Sequence, residues 1–311
     1  MKSRMRKNRT YGSVRGSDIP SQVEILERSV ELSTRLMNLE QIIRQLQDMT
    51  YLSWAKARNS SGTAGSFLKA YDENAGGKTY YKLSNYDAWA GIIGHECVNE
   101  IIVDRLLSVL GIEHLSYQLI HARVLIDQKE YETWLCASED FKQRGESKIA
   151  LDPFYQAEHF PDESPMDFCV RLGWEKAIYE MLAVDYLILN RDRHGANMEV
   201  LRNPRQKTIR LAPLFDHGLS LLSRCESTEA MLREDVMADK PVQCFVGSRS
   251  ARENLRLIPR GCFPSLHPLT ERDRPILLEG LSDALDQQWL DRIWEMIWKR
   301  WQAYESLRNQ G

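Results

Sequence analysis

The sequence lacks the features that mark membrane, secreted and zinc-binding proteins. No window of its 311 residues approaches the run of about eighteen apolar residues that a membrane span requires. The basic start, residues 1–15, is not followed by the apolar core of a signal peptide. The six cysteines are dispersed, with no CxxC pair and no cysteine–histidine spacing suited to zinc. These absences favour a soluble, cytoplasmic protein whose cysteines are reduced and lie mainly in the core.

The sequence also lacks a large excess of either positive or negative charge. The formal net charge is −3 at pH 7, so nothing global points to nucleic acid or an anionic membrane as the main partner. Only residues 1–15 are strongly basic, and a contact with nucleic acid is expected only through that arm. A chain of 311 residues with 43% hydrophobic content can form two modest cores. We therefore predict two lobes with a cleft between them.

The most informative segment is an apolar helix that leads into a polar loop. Residues 185–197 read DYLILNRDRHGAN, which places Asp192 and Asn197 five positions apart on the loop. Phosphoryl transfer needs a carboxylate to orient the attacking hydroxyl and a nearby amide oxygen to hold magnesium, and kinase catalytic loops use this spacing. Downstream, residues 209–218 predict a strand that ends in Asp216, which would be a second metal ligand. The alternative is that Asp192 and Asn197 only cap turns.

The N-terminal half predicts a brace followed by a small lobe. Apolar residues at helical spacing predict an amphipathic helix, or a bent pair of helices, over residues 21–48. The further predicted parts, in chain order, are a Gly/Ser loop (59–69), a strand (76–83), a helix (94–111), two strands (117–126 and 131–137) and a polar segment (138–146). We place the domain boundaries accordingly: residues 1–58 form the basic arm and helical brace, 59–140 the N-lobe, and 141–311 the C-lobe.

The C-terminal half is predicted to be mainly helical. Residues 174–189 are apolar on almost every side, as expected of a helix buried in a second core. Further helices are predicted near residues 271–285 and over residues 287–307, the latter rich in tryptophan. Aromatic residues at these spacings more often fill a core than form a binding platform.

A lysine and a glutamate complete the set that a kinase needs. Lys82 lies near the end of the predicted tyrosine-rich strand and would hold the nucleotide phosphates. Glu100 follows eighteen residues later, in the helix that should pack on that strand, and would keep the lysine extended. Glu96 lies one turn earlier on the same helix face, so the sequence leaves either glutamate as the partner of Lys82.

Taken together, these residues resemble the HipA-like kinase family. The likeness rests on the run NRDRHGAN (190–197), the run APLFD (212–216) and the pair Asn99-Glu100, and it covers roughly residues 59–300. Phosphoinositide kinases share the Asp-Arg-His-x-x-Asn element. The resemblance implies an α+β, bilobed protein-kinase-like fold with an N-lobe antiparallel sheet, one helix and a mainly helical C-lobe. It also implies an ATP- and Mg²⁺-dependent serine/threonine protein kinase with a protein substrate.

The resemblance assigns roles to particular residues of this chain. Asp192 would be the catalytic base, Asn197 and Asp216 would bind magnesium, and Lys82, positioned by Glu100, would neutralise ATP phosphates. The residues expected to contact the nucleotide are Gly62, Thr63, Gly65, Ser66, Lys82 and His194. The candidate autophosphorylation sites, by analogy with the family, are Ser60, Ser61 and Ser66.

Some alternatives stay open for individual residues. A histidine at position 194 more commonly shapes its loop by bonding to the backbone than it binds a metal or acts as an acid–base group. Arg191 and Arg193 would either contact a phosphate or solvate the loop. A simple flexible turn is nearly as good an interpretation of Gly62 and Gly65 as a phosphate clamp.

The chain also departs from the family. HipA toxins carry an N-terminal subdomain ahead of the phosphate loop, where this chain has only the predicted helical segment, so it is more similar to compact members. This weakens the expectation of a toxin role and of a DNA-binding antitoxin, while a small antitoxin-like or regulatory partner stays open. The alternatives in function are a lipid or small-molecule kinase on the same fold, and a nucleotide-binding pseudokinase that acts as a scaffold.

Overall fold

Six of the strands that the structure describes form one sheet in the N-terminal part of the protein. The computed structural model describes residues 41–56, 67–74 and 77–309. The sheet strands are β1 (Ile42–Asp48), β2 (Ala55–Lys56), β3 (Leu68–Asn74), β4 (Gly77–Leu83), β7 (Gln118–Ile126) and β8 (Lys129–Glu139). Their order is β1-β7-β8-β4-β3-β2, with β1 parallel to β7 and the other neighbours antiparallel. A small hairpin, β5 (Tyr86–Asp87) and β6 (Gly91–Ile92), follows β4.

The prediction of a helix up to residue 48 was wrong at its C-terminal end. Residues 42–48 form β1, which pairs with β7. Helical spacing of the apolar residues could not reveal this pairing, because the partner strand lies about 76 residues further along the chain. The sheet therefore begins before residue 59, where the N-lobe was predicted to start. The basic arm and the rest of the predicted helix lie outside the described residues.

Helix α1 (Glu96–Leu110) connects the sheet to the remainder of the protein. It confirms the helix predicted over residues 94–111 and ends at Gly111, whose φ of +74° closes the last turn. Its apolar side chains share one core with the C-terminal helices. Arg105 donates from Nη1 to the carbonyl oxygens of Leu277 (3.1 Å) and Glu279 (2.9 Å). The helix is therefore fixed to both parts of the molecule.

The C-terminal part is mainly helical, as predicted. Its helices are α2 (Leu151–Glu158), α3 (Pro165–Arg171), α4 (Glu175–Ile188), α5 (Thr228–Arg233), α6 (Ala251–Leu255), α7 (Arg274–Leu278) and α8 (Gln287–Asn309). The remaining strands are β9 (Ser147–Ala150), β10 (Asp192–Arg193), β11 (Glu199–Asn203), β12 (Thr208–Leu211) and β13 (Gln243–Cys244). Strands β12, β11 and β9 form a small sheet, and β10 pairs with β13. Within the described part of the chain, no helix combines the length and apolar character needed to cross a membrane.

Two C-terminal helices were predicted with different success. The helix near residues 271–285 is shorter than expected: a 3₁₀ turn, Glu271–Asp273, precedes α7, and Gly280 with φ of +75° follows it. Helix α8 is long, as predicted, and Trp289, Trp294 and Trp301 are buried. These tryptophans contribute to the core rather than to an exposed platform.

Candidate active site

A cleft lies between the large sheet and the C-terminal part. Its cavity measures about 240 Å³. The sheet contributes Lys82 from β4 and the end of β8, and residues 139–141 continue along one wall. Asn197 and Asp216 line the same cavity from the other side. The structure therefore brings three predicted site residues, far apart in sequence, to one cavity.

Lys82 stands between two carboxylates in this cleft. Its Nζ lies 2.8 Å from Glu100 Oε1 and also contacts Asp216 Oδ1. Burial alone would lower the pKa of Lys82, but the charges of Asp216 and Glu100 outweigh burial and raise that pKa well above its ordinary value. The lysine therefore stays protonated at any physiological pH and can serve as a fixed positive charge.

The choice between the two glutamates is decided by their neighbours. Glu96 Oε2 accepts a hydrogen bond from the backbone N–H of Asn85 (3.1 Å), which holds this side chain near the start of α1. Glu100 is fully buried and its Oε1 accepts from Lys82. Its Oε2 accepts from the backbone N–H of His217 (2.8 Å). Glu100 thus links the strand lysine to the segment that follows Asp216.

Neighbours of Glu100 strengthen this link. Burial lowers the pKa of His217 well below its usual range, and the charge of Arg193 lowers it further. The imidazole is therefore neutral and does not compete with Lys82 for the charge of Glu100. Asn99 on α1 donates from Nδ2 to the carbonyl oxygens of Gly218 (3.0 Å) and Ser220 (3.1 Å). Apart from the pair Asn99-Glu100, no sequence pattern indicates these contacts.

Asp216 occupies a left-handed backbone conformation, with φ of +57°. The predicted strand before it is shorter than expected, because β12 ends at Leu211 and Pro213, which has no N–H to donate, follows. The backbone N–H of Asp216 donates to the Tyr117 hydroxyl oxygen (3.2 Å). Burial would raise the pKa of the Asp216 carboxyl, but the charge of Lys82 and that of a second lysine, Lys69 with Nζ 3.4 Å from Oδ2, lower it.

Asp192 lies at the start of a loop that its own neighbours fix. Its backbone N–H donates to Asn190 Oδ1 (3.2 Å). Asn197 donates from Nδ2 to the backbone oxygen of Asp192 (2.7 Å) and to its carboxylate Oδ2 (3.3 Å). Because the amide nitrogen of Asn197 is used in this way, its Oδ1 is the atom able to bind a cation. The spacing of five residues therefore places a carboxylate and an amide in direct contact.

His194 shapes this loop. Its Nδ1 accepts a hydrogen bond from the backbone N–H of Ala196 (3.2 Å), and its Nε2 lies 3.5 Å from Asp192 Oδ1. The first contact is the backbone bond that the sequence favoured for this histidine. The predicted contact between His194 and the nucleotide stays a prediction.

Arg193 holds the loop through buried bonds, a role that neither interpretation of this residue anticipated. Its guanidinium is buried and forms two bonds of 2.9 Å with the carboxylate of Asp185 on α4. Its Nη1 also donates to the carbonyl oxygens of Asn197 (3.1 Å) and Phe215 (3.0 Å). One side chain therefore ties Asn197 and the residue before Asp216 to the core helix, and because it is buried it does not solvate the loop.

The Gly/Ser loop cannot be placed in the site. The predicted nucleotide and autophosphorylation residues of this loop lie outside the described residues: Ser60, Ser61, Gly62, Thr63, Gly65 and Ser66. Within the described part of the chain, His, Cys, Asp and Glu side chains form no group of three or more that could hold a metal ion. A pair such as Asn197 and Asp216 still suits magnesium, which is usually bound by one or two carboxylates together with substrate phosphates.

Comparison with known proteins identifies the fold. No protein-family profile and no curated protein sequence matches the chain. Among solved structures, a Helicobacter pylori proinflammatory kinase, CtkA, matches with a TM-score of 0.54 and 13% identity, over 85% of this chain and 97% of that one. The chain therefore has an α+β, kinase-like fold with a helical C-terminal part.

Two further solved structures align over much of the chain at lower similarity. A Golgi casein kinase has a TM-score of 0.38 and 12% identity, over 89% of this chain and 78% of that one. HipA from Shewanella oneidensis MR-1, in a toxin–antitoxin complex with HipB and operator DNA, has a TM-score of 0.32 and 13% identity. That alignment covers 89% of this chain and 64% of HipA.

Proposed function

We propose that the protein is a HipA-like, ATP- and Mg²⁺-dependent serine/threonine protein kinase. The observation that carries the proposal is that Lys82, Asn197 and Asp216 line one cavity, with Lys82 paired to Glu100 and Asp216 and with Asn197 bonded to Asp192. A lysine–glutamate ion pair, two oxygen ligands for metal and a hydroxyl-orienting carboxylate are the parts that phosphoryl transfer requires.

Each side chain has a distinct role in this proposal. Asp192 orients the acceptor hydroxyl and accepts its proton, and Lys82, held by Glu100, neutralises the nucleotide phosphates. Asn197 Oδ1 and the Asp216 carboxylate hold magnesium, which supplies charge neutralisation at the transferred phosphate. Arg193 keeps these ligands at a fixed separation by binding the carbonyl oxygens of Asn197 and Phe215.

We further propose that a serine of the Gly/Ser loop is an acceptor in the protein itself. Ser60, Ser61 and Ser66 are the candidates, and the resemblance to HipA-like kinases supports this choice. A phosphate carries nearly two negative charges, so its presence beside the ATP phosphates would oppose nucleotide binding. We also propose residues 59–140 and 141–311 as the two lobes, with β1 and β2, which precede residue 59, as the two edge strands of the N-lobe sheet.

The metal role of Asp216 is tested with Asp216→Asn. Asparagine keeps the shape and tolerates a left-handed backbone, but it removes the charge that attracts the metal. We expect phosphate transfer to fall by roughly 10²-fold or more at low magnesium, and raised magnesium to restore part of it. The measurement is the initial rate of transfer across a magnesium titration.

Asp127→Asn is a matched control for that experiment. Asp127 also has a left-handed backbone, with φ of +49°, and lies in the turn between β7 and β8, away from the cavity. This variant should keep the wild-type magnesium dependence. An Asp216→Asn protein with an unchanged magnesium requirement would exclude Asp216 as a metal ligand.

A further inference from the structure

A second lysine faces the cleft beside Lys82. Lys69 on β3 is directly opposite Lys82 on β4 in the antiparallel register, so both side chains lie on the same face of the sheet. Both line the cavity. Lys69 Nζ lies 3.4 Å from Asp216 Oδ2, while Lys82 contacts Oδ1. Each oxygen of the candidate metal ligand is therefore paired with an ammonium group.

The two lysines differ in how firmly they are held. The Lys82 side chain is 15% exposed and has a second carboxylate, Glu100, at 2.8 Å. The Lys69 side chain is 50% exposed, and within the described residues its ion pair is with Asp216 alone. An ion pair at such an exposed position contributes little to stability. A metal ion at Asp216 would leave Lys82 with Glu100 but would leave Lys69 without its carboxylate.

We propose, on the basis of the function proposed above, that Lys69 is a second phosphate-binding cation of the cleft. It would leave Asp216 and bind the phosphate chain of a nucleoside triphosphate. Phosphate oxygens are strong, charged acceptors, and lysine binds phosphate as a compact positive charge. Two ammonium groups opposite each other on neighbouring strands favour a ligand with several phosphates over a monophosphate.

The test compares the affinity of purified variants for ATP and for AMP in magnesium, measured by calorimetry or by competition with a fluorescent nucleotide. Lys69→Gln should weaken ATP binding about tenfold, the loss of one charge-assisted hydrogen bond, and leave AMP binding unchanged. Lys69→Arg, which keeps the charge, should bind ATP within about twofold of wild type. Thermal unfolding of each variant establishes that the fold is intact.

Lys78→Gln is the control for the change in net charge. Lys78 lies on β4, and its Nζ stacks 3.5 Å from the centre of the Tyr71 ring. This variant should bind both nucleotides like wild type.

Unchanged ATP affinity in Lys69→Gln would overturn the inference while leaving the proposed function in place. Tighter ATP binding would also overturn it, because Lys69 would then only compete with the metal. A wild-type protein that binds no ATP would reject the proposed function, and this inference with it.

Discussion

Asp192→Asn is expected to remove phosphate transfer while leaving ATP affinity near the wild-type value. A positioned general base contributes roughly 10²- to 10⁴-fold to rate, and the amide cannot accept the proton of the acceptor hydroxyl. The loop should keep its shape, because the bond from Asn197 Nδ2 to the Asp192 backbone oxygen does not involve the substituted group. Asparagine also offers a side-chain oxygen to the second Asn197 contact.

The measurement separates chemistry from binding. Single-turnover rates with saturating ATP and magnesium report the transfer step, and equilibrium titration reports ATP affinity. Asp162→Asn, in an exposed turn, makes the same chemical change away from the cleft and should behave as wild type in both assays. Near-normal turnover by Asp192→Asn would reject Asp192 as the catalytic residue.

Arg193→Met is expected to cause the largest loss of stability. It leaves the Asp185 carboxylate buried without its cation and removes the donor to the carbonyl oxygens of Asn197 and Phe215. Breaking a buried pair from one side typically costs about 3–5 kcal/mol. Activity should fall as well, because the loop that carries Asn197 and the Phe215-Asp216 segment would no longer be held by the same side chain. The free energy of unfolding in urea measures the first effect.

Arg171→Met provides a matched comparison. Arg171 also binds a carboxylate with two nitrogens, those to Glu163 at 2.6 Å and 2.9 Å, and donates to the carbonyl oxygen of Glu158 (3.1 Å). Its side chain is 33% exposed, whereas that of Arg193 is 1% exposed. Exposed pairs contribute about 0–1 kcal/mol, so this variant should lose far less stability. Equal losses in the two variants would show that burial is not what makes Arg193 important.

Local spacing in the sequence predicted several of the arrangements seen in the structure. Asp192 and Asn197 are in contact because five residues are enough to close the loop. The helix that carries Glu100 follows directly from its apolar pattern and terminal glycine. The pairing of Glu100, rather than Glu96, with Lys82 depends on the hydrogen bond from the Asn85 backbone N–H to Glu96. Spacing on one helix face cannot reveal that contact.

Features that depend on distant partners could not be predicted. Strand β1 has apolar residues at helical spacing, and only the edge of β7 makes it a strand. Lys69 enters the cleft because β3 and β4 pair in one register, and a shift by one residue would turn its side chain to the other face. The role of Arg193 depends on Phe215, which lies on a separate segment.

The most direct test of the proposed kinase activity is incubation of the purified protein with magnesium and γ-labelled ATP, beside Asp192→Ala, with the phosphate located by mass spectrometry. We expect label on Ser60, Ser61 or Ser66 in the wild-type protein and none in the variant. Equal labelling of the two proteins would contradict the role of Asp192. ATP binding without transfer to this protein or to any added protein would contradict the assignment as a protein kinase, and would favour a pseudokinase or a kinase with a non-protein acceptor.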